Sequence, residues 1–225
     1  MSLIIKICGL STSEALDVAL DAGADMVGFV FFPPSPRHLA FDAARMLGDR
    51  VRGRARKVAL TVDADDATFE AIVDSLQPDL LQLHGREPPA RVTALKRHFG
   101  RPVMKAIPVE GKADLALVAD YVAIADRLLF DARAPREATR PGGLGKSFDW
   151  RLLKNLDPSR PFMLSGGLDA ANVGEALCIT GAGGVDVSSG VERAPGDKDP
   201  DKIRAFVRAA REAAARLAVK VASPA

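Results

Sequence analysis

The stretch Leu3-Ile4-Ile5-Lys6-Ile7-Cys8-Gly9 decides how the rest of the chain is read. It is a short, continuous run of apolar and β-branched side chains, the composition of a strand buried on both faces, as strands of parallel sheets are. Side chains alternate along a strand, so Leu3, Ile5 and Ile7 share one face and Ile4, Lys6 and Cys8 the other. In a barrel wrapped by helices the outer face must be apolar. Lys6 therefore belongs inside and takes Cys8 with it, pointing in at the C-terminal mouth.

Working outward, the same alternation of short apolar runs and helical spacing recurs. Ser11 or Thr12 can cap a helix whose Ala15, Leu16, Ala19 and Leu20 recur every three or four residues and which ends near Gly23. Further strands are expected at 26–31, 57–62, 80–83, 102–106, 128–130, 162–164 and 185–187, and helices near 41–51, 66–75, 89–98, 112–120, 149–154, 170–179 and 200–218. Eight strands alternating with eight helices predict an α/β fold, a parallel (β/α)8 TIM barrel forming a single domain over residues 1–220, with 221–225 a frayed tail. An open doubly wound sheet is the alternative. Parity on the later strands assigns Gln82, Lys105, Arg127, Asp131, Asp186 and Ser188 to the interior with Lys6, a charge-compensated set, because buried ions are tolerated only when paired.

Composition narrows the partners. The 31 basic and 29 acidic residues of the 225 leave a net charge of +2, dispersed along the chain, which gives no support for a nucleic acid or an anionic membrane as partner. The two cysteines, Cys8 and Cys178, suggest neither a disulfide framework nor a zinc site. No apolar stretch approaches the roughly 18 residues of a membrane span, so a cytoplasmic protein is expected.

In such barrels the active site lies beyond the C-terminal strand ends. Ser165-Gly166-Gly167-Leu168-Asp169 and Val187-Ser188-Ser189-Gly190-Val191-Glu192 follow strands seven and eight, where barrels often hold phosphate on backbone N–H groups. Gly166, Gly167, Ser188, Ser189 and Gly190 are thus phosphate-binding candidates, unless the glycines only make turns. The long loop 132–146, with Pro135, Pro141, Gly142, Gly143 and Gly145, is expected to be a flap over the substrate. Cys8 and Asp131 reach the same rim. A free cysteine is often only a small buried hydrophobe, and Asp131 could instead pair with Arg133. His84, a lone rim histidine, is a proton carrier or a bystander. His38 and His98 add no metal-ligand spacing, and no Gly-x-Gly-x-x-Gly unit opens a helix after the first strand, so neither metal nor cofactor is expected.

The ordered pieces Lys6-Ile7-Cys8-Gly9-Leu10, Gly28-Phe29-Val30-Phe31 with Ser35-Pro36-Arg37, Gln82-Leu83-His84-Gly85, Phe130-Asp131, Gly142-Gly143-Leu144-Gly145 with Phe148-Asp149-Trp150, Gly166-Gly167-Leu168, and Val185 to Glu192 with Lys198-Asp199 resemble the phosphoribosylanthranilate isomerase family of tryptophan biosynthesis. The resemblance implies a cofactor-independent isomerase acting on a phosphosugar, a monomer or homodimer. Its reaction is an Amadori rearrangement of N-(5-phosphoribosyl)anthranilate to 1-(2-carboxyphenylamino)-1-deoxyribulose 5-phosphate. It further implies Cys8 as general base, Asp131 as general acid, Arg37 against the anthranilate carboxylate, and the two glycine loops around the phosphate. Leu144 and Ser165 depart from the small polar residue and the alanine more usual in the family, and both lie in backbone-led loops. A thiol must lose its proton to act as a base, and the inward cations, Lys6 among them, offer a reason for thiolate character.

Overall fold

The computed structural model describes residues 3–135, 137–154, 156 and 162–222. The opening run forms strand β1 (Ile4–Cys8), which pairs in parallel with β2 (Met26–Phe31) on one side and with β8 (Gly184–Val187) on the other. Between them lie β3 (Arg56–Thr61), β4 (Leu80–Leu83), β5 (Val103–Val109), β6 (Arg127–Ala132) and β7 (Phe162–Leu164), and the eight strands close into one parallel barrel in chain order. Closure puts Lys6 of β1 in register with Asp186 of β8, two residues 180 positions apart in the chain.

The helices are α1 (Ser13–Asp21), α2 (Phe41–Val51), α3 (Asp66–Leu76), α4 (Pro89–Phe99), α5 (Leu117–Tyr121), α6 (Val173–Thr180) and α7 (Pro200–Ala222). Thr12 caps α1, its hydroxyl accepting the Ala15 N–H at 3.2 Å, and Asp65 caps α3 in the same way. Outward strand residues such as Ile5, Ile7, Val27, Phe29, Leu81 and Leu83 pack with the helices into a large outer core. Inside the barrel, Met26, Val58, Leu80, Met104, Leu129 and Met163 form a separate plug beneath the mouth. The mouth above that plug is where polar side chains gather.

Several expectations need correcting. Lys105 does not face the interior: it shares parity with Val103 and Ile107 on the outer face, where its Nζ lies 2.8 Å from Glu87 Oε2 and 2.7 Å from the Gly85 carbonyl. Its partner comes from the loop after β4, which strand parity cannot foresee. The helix expected at 149–154 is a single 3-10 turn, Trp150–Leu153, capped by Asp149 and ended where Lys154 turns to extended geometry. The one expected near 112–120 opens as a 3-10 turn, Lys112–Ala116, because Asp114 accepts the N–H groups of Glu110 and Gly111 and tightens the first turn. A two-stranded hairpin, β9 (Glu192–Ala194) and β10 (Asp197–Lys198), was not foreseen, and α7 runs on to Ala222, past the expected end at 218. Residues 223–225 of the expected frayed tail lie outside the described residues.

Candidate active site

β1 delivers Cys8 to the mouth, buried, with its sulfur directed at the small gap left by Gly28 of β2. A Cβ at Gly28 would stand 2.9 Å from both Cys8 Sγ and Lys6 Nζ, so a side chain there would press directly on this pair. Lys6 Nζ is fully buried and donates to Asp186 Oδ1 at 2.9 Å. Burial pulls the Lys6 ammonium down, but the Asp186 carboxylate and the Cys8 sulfur outweigh it and leave the amine above its ordinary value. Burial pushes the Cys8 thiol up, against the pull of Lys6 and, more weakly, of Lys198.

Across the mouth, Asp131 stands next to last on β6. Its Oδ1 accepts the Ala132 N–H, and its Oδ2 lies 3.0 Å from His84 Nε2. His84 Nδ1 in turn lies 3.0 Å from Gln82 Nε2 on the same strand face. With the amide placed this way, Gln82 donates to Nδ1, so Nε2 carries the proton and donates to Asp131 Oδ2. Gln82 Oε1 is buried without a hydrogen-bond partner. Turning the amide would let that oxygen accept from Nδ1–H and leave Nε2 to accept from a protonated Asp131, so the chain is complete with either charge state of the acid. Arg133, the alternative partner for Asp131, pairs instead with Asp114.

Arg37, in the loop after β2, is buried and committed. Its Nε and Nη2 donate to Glu192 Oε1 and Oε2 at 2.7 Å each, and Nη2 also donates to the Gly143 carbonyl at 3.1 Å. Glu192 Oε1 also accepts from Lys198 Nζ at 2.7 Å, and Lys198 donates as well to the Ser188 carbonyl at 2.9 Å. Burial raises the Glu192 carboxyl, but the two cations bonded to it carry it below its ordinary value. Glu192 and Lys198 were legible only as letters of a motif. Their signal is a carboxylate and an amine six residues apart in a tight hairpin, too local a pattern to read as a brace for a residue 155 positions away.

The two glycine loops lie side by side. A Cβ on Gly190 would run into the Leu168 carbonyl, so the loop after β8 sits directly on the loop after β7. Gly166, at φ +86°, approaches the Ala132 N–H so closely that its Cβ would fall 2.6 Å away, and a side chain there is excluded on both counts. Residues 142–145 lie over the mouth and meet its side chains through glycines: Gly142 against Asp131 and His84, Gly143 against Arg37, and Gly145 near Ser189. One cavity is lined by Cys8, Arg37, Asp131, Gly142, Gly166 and Ser188 together. Of the candidate site residues named from the sequence, all but Gly190 line this cavity, and Gly190 packs against Leu168, which does. Among the described residues no group of three or more His, Cys, Asp or Glu could hold a metal ion.

The family model described as N-(5'-phosphoribosyl)anthranilate (PRA) isomerase matches residues 5–209, nearly the whole barrel. The chain belongs to the phosphoribosylanthranilate isomerase family. A relative from Bradyrhizobium diazoefficiens named N-(5'-phosphoribosyl)anthranilate isomerase is 68% identical over 211 residues, 94% of this chain and 95% of its own length. A relative of the same name from Rhodopseudomonas palustris strain BisB5 is 66% identical over 94% of this chain and 97% of its own. Among solved structures, the phosphoribosylanthranilate isomerase from Thermotoga maritima superposes with a TM-score of 0.84 at 34% identity, covering 93% of this chain and 99% of its own. A second structure of the family, in complex with reduced 1-(o-carboxyphenylamino)-1-deoxyribulose 5-phosphate, superposes with a TM-score of 0.80 at 31% identity over 93% of this chain and 99% of its own. The chain is therefore an isomerase of the tryptophan pathway built on the TIM barrel.

Proposed function

We propose that this chain converts N-(5'-phosphoribosyl)anthranilate to 1-(2-carboxyphenylamino)-1-deoxyribulose 5-phosphate, with Asp131 as general acid and Cys8 as general base. The observation that carries the assignment is the placement of these two side chains, from strands β6 and β1, on one cavity with the paired glycine loops. Protonated Asp131 gives its proton to the furanose oxygen, the C1–O bond breaks, and the nitrogen lone pair closes a protonated Schiff base. That cation acidifies the C2–H, the Cys8 thiolate takes the proton, and the electron pair flows back to give an enolamine, which tautomerises to the ketone. Each transfer is a proton-in-flight interaction made in the transition state, where binding energy accelerates chemistry.

Gly166, Gly167, Ser188, Ser189 and Gly190 would receive the phosphate on their backbone N–H groups. Arg37 would meet the anthranilate carboxylate through the guanidinium edge that Glu192 leaves over, with the N–H now given to Gly143 transferred to the substrate. Loop 132–146, carrying Gly142, Gly143 and Gly145, acts as the flap that closes water out. No cofactor or metal takes part, and the enzyme works in the cytoplasm as a monomer or homodimer without nucleic acid or membrane partners. Turnover of phosphoribosylanthranilate generated in situ tests the assignment. Loss of the substrate's fluorescence at an enzyme-dependent rate is the expected result, and a rate no faster than spontaneous decay would contradict it.

A further inference from the structure

We propose that Lys6 is a positioning residue for the acid–base chemistry, holding the Cys8 sulfur with an ammonium that it shares with Asp186. The proposal deepens the reading of Cys8 as the base and rests on it. Lys6 is fully buried, and an ammonium has three N–H donors to place where no water reaches. Its one carboxylate contact, Asp186 Oδ1 at 2.9 Å, accounts for one of them. The Cys8 sulfur is the next side chain on the same face of β1 and interacts electrostatically with this ammonium. Both groups crowd the same point, 2.9 Å from where a Gly28 side chain would begin, so the neighbouring strand β2 leaves room for both.

The charges facing Cys8 explain why two partners are needed. They come from Lys6 on its own strand, Asp186 on β8 and Lys198 on β10, and Lys198 is itself bonded to Glu192. With Lys6 positive, Asp186 negative and Cys8 a neutral thiol, the trio carries no net charge at rest. Ionising Cys8 adds an anion that Lys6 attracts and Asp186 repels. The trio therefore favours the thiol until a cation arrives at the sulfur, and the protonated Schiff base of the substrate is such a cation. On this account the thiol is held back in the free enzyme and released by the intermediate that needs it.

A merely structural ion pair makes a different forecast. Losing either partner would cost stability and leave the thiol unmoved, or move it the same way in both variants. The shared-ammonium account requires opposite movements. The test uses the full chain carrying Cys178→Ser, since Cys178 is the other free thiol and is exposed, and follows alkylation of Cys8 by iodoacetamide against pH. Lys6→Met should raise the midpoint and slow alkylation at neutral pH by at least about tenfold, the lower end of what an opposite charge at this range confers. Asp186→Asn should lower the midpoint and speed alkylation. Midpoints that stay put, or move together, would overturn the proposal. If either variant fails to fold by circular dichroism, Gly28→Ala wedges a methyl between sulfur and ammonium while keeping both charges. It too should slow alkylation, and an unchanged rate would overturn the idea. Alkylation reads the thiol whether or not it takes the substrate's proton, so a turnover assay of Cys8→Ala separates failure of the base assignment from failure of this one.

Discussion

Glu192 occupies the Nε and Nη2 edge of Arg37 with two bonds of 2.7 Å, so the guanidinium is oriented before any substrate arrives. A bidentate pair of this kind fixes direction as well as charge. The free end of Arg37 therefore points where the hairpin β9–β10 sends it, and that hairpin is braced by Lys198.

Arg37→Ala should chiefly raise KM and should harm an analogue lacking the anthranilate carboxylate much less. Glu192→Gln keeps the shape but loses the ionic pull on Arg37 and Lys198. It should raise KM in the same selective way by a smaller factor. Equal losses with both substrates would show that Arg37 serves the fold and not the carboxylate.

A phosphate ligand should stabilise the enzyme by mass action, by about 2.7 kcal/mol at a hundredfold excess over Kd. Gly190→Ala, whose methyl would strike the Leu168 carbonyl, should abolish most of that thermal shift. Gly111→Ala is the control: nothing lies within 4 Å of its Cβ, and the shift should survive. A shift that persists in Gly190→Ala would move the phosphate elsewhere.

The pair Lys105–Glu87, with both side chains 2% exposed, belongs to the fold outside the barrel interior. Lys105→Met strands a buried carboxylate and should cost roughly 3–5 kcal/mol in urea denaturation. Because Lys105 lies behind the loop that carries His84, kcat should change far less than stability does. A loss below about 1 kcal/mol, the scale of an exposed pair, would mean that water reaches Glu87.

Burial raises the Cys8 thiol, which sets the sign of the pH dependence. A base with a raised value is mostly protonated at neutral pH, so in Asp131→Asn, where no acid titrates against it, the residual kcat/KM should climb as pH rises toward and past the ordinary thiol range. A profile that instead tracked an ordinary histidine, levelling off near neutrality, would transfer the role of base to His84.

Much of this was legible from alternation alone. The inward parity of Lys6 and Cys8 followed from one charged residue in a run that had to be apolar outside, and Asp186 and Asp131 followed by the same logic. Parity failed at Lys105 because it assumes that a charge must face the interior, whereas a carboxylate from a loop can pair with it under the helices. The brace of Arg37 by Glu192 was not legible, since the contact spans 155 residues and depends on a hairpin of two very short strands. The His84–Asp131 bond was hidden for a similar reason: it joins the ends of two strands that are not neighbours, across the mouth.

The central claim is that one thiol and one carboxyl perform the chemistry, and Cys8→Ser tests it most directly. A hydroxyl fills nearly the same space but yields far less anion near neutral pH, so kcat should fall by about 10²–10⁴-fold, the contribution of a general acid–base group. The affinity for a phosphate ligand and the melting temperature should stay near those of the parent. Turnover within a few-fold of the parent would show that the sulfur only packs, and the account of the site given by Cys8 and Asp131 would be wrong.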